Sequence, residues 1–217
     1  MKIGIIGAGN VGTALGKRLA ASGHDIVVSF GRTPENVADA ARKIGGGTRA
    51  GTLAEAARHG DVVIVATPWV VTLETIRKIA SELEGKTVWD TTNPFKTDMS
   101  GLEIGLSTSA GEEIAKAAPG AKVVKAVPPF AEVLHSHSTR LGGERPSVFV
   151  CGNDPDARAT ILRLVSDIDA DGVDAGPLSL ARYTEPLGML LVYLAYVQGF
   201  GARIGTVLIL DQAEKIA

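Results

Sequence analysis

The chain has 217 residues, a formal net charge of −2, 45% hydrophobic and 21% charged residues, and one cysteine. That length fits one α/β domain with a small appendage. The near-neutral charge supplies no basic field for nucleic acid, and a lone Cys151 excludes an internal disulfide, in keeping with a reducing compartment. The first strand begins at Lys2, so no secretory leader is read there and a cytoplasmic protein is expected.

Lys2-Ile3-Gly4-Ile5-Ile6 reads as a short buried strand, and Gly7-Ala8-Gly9-Asn10-Val11-Gly12 follows at once. Thr13 to Ser22 reads as a helix, and a second apolar strand ends at Val27-Val28-Ser29. This is a dinucleotide fingerprint in strand-turn-helix-strand context. Gly7 lets the chain turn out of the strand, Gly9 lets the backbone approach a pyrophosphate, and Gly12 lets the helix pack on the sheet. Free N–H groups at the helix start favour the phosphates.

A site for NAD places an acidic residue about 20 residues after the glycines, where it holds the ribose hydroxyls. Here Asp25 stands at the start of the second strand, away from its carboxyl end. Ser29 and Arg32 stand near that end instead, which predicts a cofactor with a 2′-phosphate, NADP.

Strand and helix then alternate. Thr33-Pro34 starts a helix that Gly45-Gly46-Gly47 ends, and Thr52 to Glu55 has capping-box spacing for a short one. Asp61 to Ala66 reads as a buried strand with Thr67-Pro68-Trp69 at its carboxyl end. A helix is expected over Thr72 to Leu83, and a strand over Lys86 to Thr91, closed by Asn93-Pro94. Ser109 to Glu112 repeats the capping spacing before a helix ending near Pro119-Gly120, and Ala121 to Val127 is a further strand running into Pro128-Pro129-Phe130. The alternation argues a Rossmann-type, doubly wound parallel sheet, with ligands beyond the carboxyl ends of its strands.

After Arg140 the pattern changes. Ser147 to Cys151 reads as a strand, Asp154-Pro155 opens a helix to about Ile168, Gly172 to Ala175 is a short strand, and Pro177 opens a long apolar helix. We expect residues 1–139 to form the NADP-binding domain and 140–217 a small α+β lobe that covers the cleft. The uncharged stretch Pro186 to Ala202 falls short of the roughly 20 residues of a membrane span, so no membrane association is expected. The apolar helix around Met189 to Val197 is expected to be buried, or to join two copies in a homodimer.

The cleft is expected to bind a small-molecule hydride acceptor beside the nicotinamide. Thr67-Pro68-Trp69, Asn93, Val127 and Pro128 are its candidate walls. His135 and His137 are the first proton donors if the acceptor is a carbonyl or imine, although a solvated loop is the plainer reading for the pair. No acidic or cysteine partner stands near them to complete a metal set, so no metal is expected. Ser107, Ser109, Asp90 and Glu185 form no recognisable nucleophile triad, and no catalytic side chain is assigned.

The chain resembles the deazaflavin-dependent NADP oxidoreductases, the NADPH-dependent reductases of coenzyme F-420, over nearly its whole length. The resemblance rests on Gly7 to Gly12, on Thr67-Pro68-Trp69 and on Val150-Cys151-Gly152-Asn153-Asp154. Val173-Asp174-Ala175-Gly176-Pro177-Leu178 strengthens it, with Ala181-Arg182 and Glu185-Pro186 following. Pyrroline-5-carboxylate reductases and the cytosolic part of membrane ferric reductases share the expected fold. The resemblance implies that Ala8, Gly9, Asn10 and Val11 hold the pyrophosphate, that Ser29 and Arg32 hold the 2′-phosphate, and that Thr67, Pro68 and Trp69 border the nicotinamide. It implies 8-hydroxy-5-deazaflavin as co-substrate, stacked on the nicotinamide for a hydride transfer that needs no positioned acid or base. The sequence departs from the family at two places. Phe30 and Gly31 separate Ser29 from Arg32, and Val127-Pro128-Pro129 stands where a polar pair is common. Two other functions remain open to the residues alone: a reductase of a small carbonyl or imine, and a non-enzymatic NADP-binding module.

Overall fold

The computed structural model describes residues 1–211. β1 (Lys2–Ile6), β2 (Asp25–Ser29), β4 (Val62–Val65) and β5 (Thr87–Asp90) follow the expected order, and a two-residue strand that the sequence reading did not include, β3 (Arg49–Ala50), lies between β2 and β4 in the chain. β6 (Lys122–Lys125), β7 (Ser147–Gly152) and β8 (Asp171–Gly176) complete one sheet of order β3-β2-β1-β4-β5-β6-β7-β8. From β1 the chain first winds outward to β3, then returns to β4 on the other side, so the switch point of the sheet falls between β1 and β4.

The expected parallel pairing is observed from β3 to β6 and again between β7 and β8. β6 and β7 are antiparallel, through Val124 opposite Gly152 and Lys125 opposite Cys151. The strands after residue 140 thus extend the first sheet. After β6 the chain makes only a short helix (Ala131–His135) and a loop before it turns back, too little to cross over and re-enter in parallel.

The helices α1 (Asn10–Ala21), α2 (Pro34–Ile44), α3 (Leu53–His59), α4 (Trp69–Lys78), α5 (Ala110–Ala117), α6 (Ala131–His135), α7 (Pro155–Asp167) and α8 (Ala181–Val192) cover both faces of the sheet. Alternate strand residues explain the two cores. Ile3, Ile5, Ile26 and Val28 pack under α1, α2 and α7, through Leu15, Leu19, Ile44 and Ile161. Ile6, Val63, Val65 and Val88 face α3, α4 and α5 through Ala56, Ile76 and Ile114. Thr33 caps α2 and Thr52 forms a full capping box with Glu55, as their spacing predicts.

Several helices depart from the sequence expectation: α1 starts at Asn10 instead of Thr13, and α6 stands where no helix was expected. α4 begins at Trp69, directly after Pro68, and ends at Lys78, so Trp69 sits in a first helical turn. The apolar C-terminal segment opens with a short 3-10 turn at Leu178–Leu180, continues as α8 and ends in a π-turn at Tyr193–Val197. Its outer side is open: Leu190 is 52%, Val197 62% and Phe200 69% exposed. No described helix is long and apolar enough to cross a membrane.

Trp89 of β5 is fully buried and its Nε1 donates to the Ala126 carbonyl at 2.8 Å, just beyond β6. Trp89→Phe leaves that carbonyl unpaired and a void beside it. Urea unfolding is expected to show a loss of about 1–3 kcal/mol with an unchanged m-value.

Candidate functional site

The fingerprint loop is held from two sides. Gly7 N donates to Ser29 O and Ala8 N to Phe30 O, both at 2.8 Å, which ties β1 to the end of β2. Gly7 has φ +141°, and a Cβ there would come within 2.3 Å of the Ala66 carbonyl oxygen. A Cβ on Gly12 would meet Gly7 O at 1.9 Å, so the start of α1 can press against the strand only because both residues lack side chains. Gly9 is different: it is exposed, and a Cβ there would meet nothing within 4 Å. The space above Gly9 is therefore open. α1 starts at Asn10, with no side-chain cap and no acid in its first turn, so its N–H groups and dipole face that space uncompensated.

A cleft of about 650 Å³ opens beyond the carboxyl ends of β1, β4, β5 and β6. Of the candidate residues, Gly9, Asn10, Val11, Thr67, Pro68, Trp69, Asn93, Val127 and Pro128 line it. Gly7 and Gly12 are buried beneath it and Ala8 is half-buried beside it. The other wall comes from the C-terminal part of the chain, including Phe149, Leu187, Leu191 and Ile204. The segment around Thr206 is tied to β7 by a bond from Ser147 N to Thr206 O at 2.7 Å. Phe130 and Tyr196 meet edge to face on this wall, with centroids 6.1 Å apart. The Tyr196 hydroxyl donates to Glu132 at 3.5 Å, and burial together with that carboxylate holds it above the usual phenol range.

Ser29 is set apart from the other candidates. It is 1% exposed at the last position of β2 and lines no part of the cleft. The left-handed Phe30, at φ +64°, turns the chain between it and Arg32. Arg32 is exposed and makes no hydrogen bond or ion pair among the described residues. Of the two expected phosphate ligands, Ser29 is buried and Arg32 exposed. His135, which ends α6 where a loop was expected, and His137, just beyond it, are exposed and lie outside the cleft lining. Cys151 is buried, and burial pushes its thiol up to about 11, the behaviour of a core residue.

Behind the cleft lies a group of charges that sequence reading missed. The Lys125 ammonium sits 2.6 Å from Asp90 Oδ2 and 2.9 Å from Glu185 Oε1, with none of the three side chains exposed. It also donates to the Thr92 carbonyl at 2.7 Å. Asp90 Oδ1 accepts from Thr92 N at 2.8 Å and from Thr92 Oγ1 at 2.7 Å. Glu185 caps α5, accepting from Ala110 N at 2.9 Å and Gly111 N at 3.2 Å. Burial alone would drive the Lys125 ammonium toward its neutral form, but Asp90 and Glu185 outweigh it and hold its pKa above the usual lysine value. Burial likewise raises the Glu185 carboxyl, against the pull of Lys125. A lysine ending the strand Lys122–Lys125 and an aspartate ending Thr87–Asp90 look in sequence like ordinary polar strand ends. The sole sequence signal is their occurrence at the last position of adjacent buried strands.

The family model described as "NADP oxidoreductase coenzyme F420-dependent" matches residues 2–94. An F420-dependent NADP reductase of Methanocaldococcus jannaschii is 32% identical over 223 aligned residues, covering 94% of this chain and 98% of that protein. The chain belongs to the coenzyme F420-dependent NADP oxidoreductase family. The solved structure of a candidate F420-dependent NADP reductase from Arthrobacter sp. FB24 superposes with a TM-score of 0.86 at 26% identity, covering 97% of this chain and 100% of the other. A pyrroline carboxylate reductase of Plasmodium falciparum, at 15% identity and a TM-score of 0.60, shares the fold over 89% of this chain and 65% of its own. The resemblance read from the fingerprint and the C-terminal motif therefore holds for the family, and the Rossmann-type architecture holds with it.

Replacing Lys125 by methionine removes the cation and leaves two carboxylates facing each other in the core. Lys125→Met is expected to lower stability by about 3–5 kcal/mol in urea unfolding, unlike a change at an exposed pair such as Lys78–Glu74, expected to be near neutral.

Proposed function

We propose that this chain is an NADP-dependent oxidoreductase that transfers a hydride between NADP(H) and an 8-hydroxy-5-deazaflavin, coenzyme F420. The observation that carries the reading is the cleft itself. It joins an open glycine cradle and a free helix N-terminus at one end to a broad, mainly apolar wall at the other. The family membership supports the same pair of substrates.

The residues present fit a dinucleotide. Gly9 leaves room where a Cβ would otherwise stand, and Asn93 Oδ1, a buried acceptor bordering the cleft, is without a partner among the described residues. On this reading Gly9, Asn10 and Val11 hold the pyrophosphate through backbone N–H groups. Arg32, free and exposed, takes the 2′-phosphate. Thr67, Pro68, Trp69 and Asn93 border the nicotinamide half, which a sheet of this winding directs toward β4 and β5. Val127, Pro128 and Phe130 and the wall built from α8 receive the acceptor. The nicotinamide supplies the hydride chemistry. The protein holds two flat rings in register, excludes water with apolar side chains, and moves no proton at a positioned residue.

We further assign residues 1–139 to cofactor binding and 140–217 to the acceptor wall and a second copy of the chain, residues 212–217 lying outside the described ones. The open apolar side of α8 and the π-turn, with Leu190, Tyr193, Val197 and Phe200, supports a homodimer. A single buried thiol and a net charge of −2 support a cytoplasmic enzyme acting on small molecules without nucleic acid.

Mixing the protein with NADPH and oxidised deazaflavin is expected to bleach the deazaflavin's visible absorbance. Bound NADPH with no bleaching would remove this acceptor. Arg32→Ala is expected to raise the NADPH Kd about tenfold or more, the worth of a charge-assisted hydrogen bond, while leaving NADH binding unchanged in fluorescence titrations. An equal loss for both cofactors would place the 2′-phosphate elsewhere.

A further inference from the structure

Asn93 follows β5 at the rim of the cleft, and its amide is half satisfied. Nδ2 donates to the Glu185 carbonyl at 3.2 Å. A carbonyl can only accept, so the amide's orientation is fixed and Oδ1 is the edge left over. Oδ1 is shielded from bulk solvent and meets no donor among the described residues. The amide has little room to turn away: a Cβ on Gly188 of α8 would come within 2.4 Å of Nδ2. The rim below it is fixed through Thr92 by Asp90 and Lys125.

The threonine hydroxyls at the carboxyl ends of β4 and β5 are already committed. Thr67 and Thr72 hydroxyls bond each other at 2.8 Å, and Thr91 Oγ1 donates to Val65 O at 2.8 Å. Thr92 Oγ1 is held by Asp90. A rigid acceptor without a donor is unfavourable in the free protein and is relieved by a ligand that brings an N–H. Because the nicotinamide half of a dinucleotide lies toward β4 and β5 in a sheet wound this way, the N–H nearest to hand is that of its primary carboxamide.

We propose that Asn93 Oδ1 accepts a hydrogen bond from the carboxamide N–H of the nicotinamide, and so selects a pyridine ring that carries a primary amide. The inference rests on the NADP(H) reading above and adds a specificity residue to it. Its consequence is discrimination by hydrogen-bond chemistry. A ring with an acetyl group in place of the carboxamide has the same carbonyl and nearly the same shape, but no N–H.

The test is binding, measured on the full chain by calorimetry with three ligands: NADP+, its 3-acetylpyridine analogue, and 2′-phospho-ADP-ribose, which lacks the ring. Wild type is expected to bind NADP+ roughly tenfold more tightly than the analogue, the effect of one unpaired buried acceptor. In Asn93→Ala the preference collapses toward one, through weaker NADP+ binding, with 2′-phospho-ADP-ribose unaffected. Gly188→Ala, which leaves the amide chemically intact but pushes it aside, is expected to lose the same preference and serves if Asn93→Ala does not fold. Equal binding of NADP+ and the analogue by wild type, or a full preference kept in both variants, overturns the inference while the NADP(H) reading stands. Failure of all three ligands to bind overturns both.

Discussion

The Lys125 ammonium, closed in between Asp90 and Glu185, is the interaction on which the site depends. Each of these charges comes from a different element: β5, β6 and α8. Taking three charges out of water is expensive, and an isolated pair recovers that cost only with good geometry and full hydrogen bonding. Here the carboxylates have further donors in Thr92 and in the first N–H groups of α5, so the bonding around them is nearly complete. Removing one partner would leave the others uncompensated, and this gives the arrangement its all-or-none character.

The position of that network matters as much as its strength. It lies where the half of the cleft built on the carboxyl ends of parallel strands meets the half built from α8 and the chain beyond it. β6 is also the strand at which the sheet turns antiparallel, so no run of parallel crossovers carries the register past this point. Side-chain bonds substitute for that regularity. Glu185 caps α5 with its carboxylate and holds Asn93 with its main-chain carbonyl, so one residue of α8 fixes both a helix start and the cleft rim.

Much of the fold was legible in the sequence because it depends on local chemistry. Thr33-Pro34, Thr52 to Glu55 and Asp154-Pro155 announce helix starts through caps that satisfy their own neighbours, and the structure has each of them. The glycine fingerprint was legible from its strand-turn-helix context, since the close approach at Gly12 is to Gly7 in the same unit, although Gly7 itself approaches the distant Ala66. What was not legible is what depends on distant pairing. Ser29 and Arg32 are three residues apart and read as one clamp, yet a left-handed Phe30 separates a buried serine from a solvated arginine. Asp90, Lys125 and Glu185 are 35 and 60 residues apart, and only the pairing of Asp90 with Lys125 across β5 and β6 and the return of α8 unite them. The open side of α8 was ambiguous in another way, because an apolar run looks the same in sequence whether it faces a core or a second molecule.

A hydride passed between two planar rings places unusual demands on a site. The hydride itself passes directly from ring to ring, so the demand on the site falls on distance, parallel alignment and exclusion of water. Apolar walls meet the last of these. Distance and alignment require that the floor under the rings not yield, and loops at strand ends are ordinarily the most yielding part of such a sheet. The loop Thr91 to Asn93 escapes that rule because Thr91 is bonded to β4, Thr92 to the buried Asp90 and Lys125, and the Asn93 Nδ2 to the Glu185 carbonyl of α8. The costly ionic cluster and the chemically plain cleft are then two sides of one arrangement. The protein carries this buried cluster behind the cleft, where it holds the rim still, while the surface before it is mainly apolar.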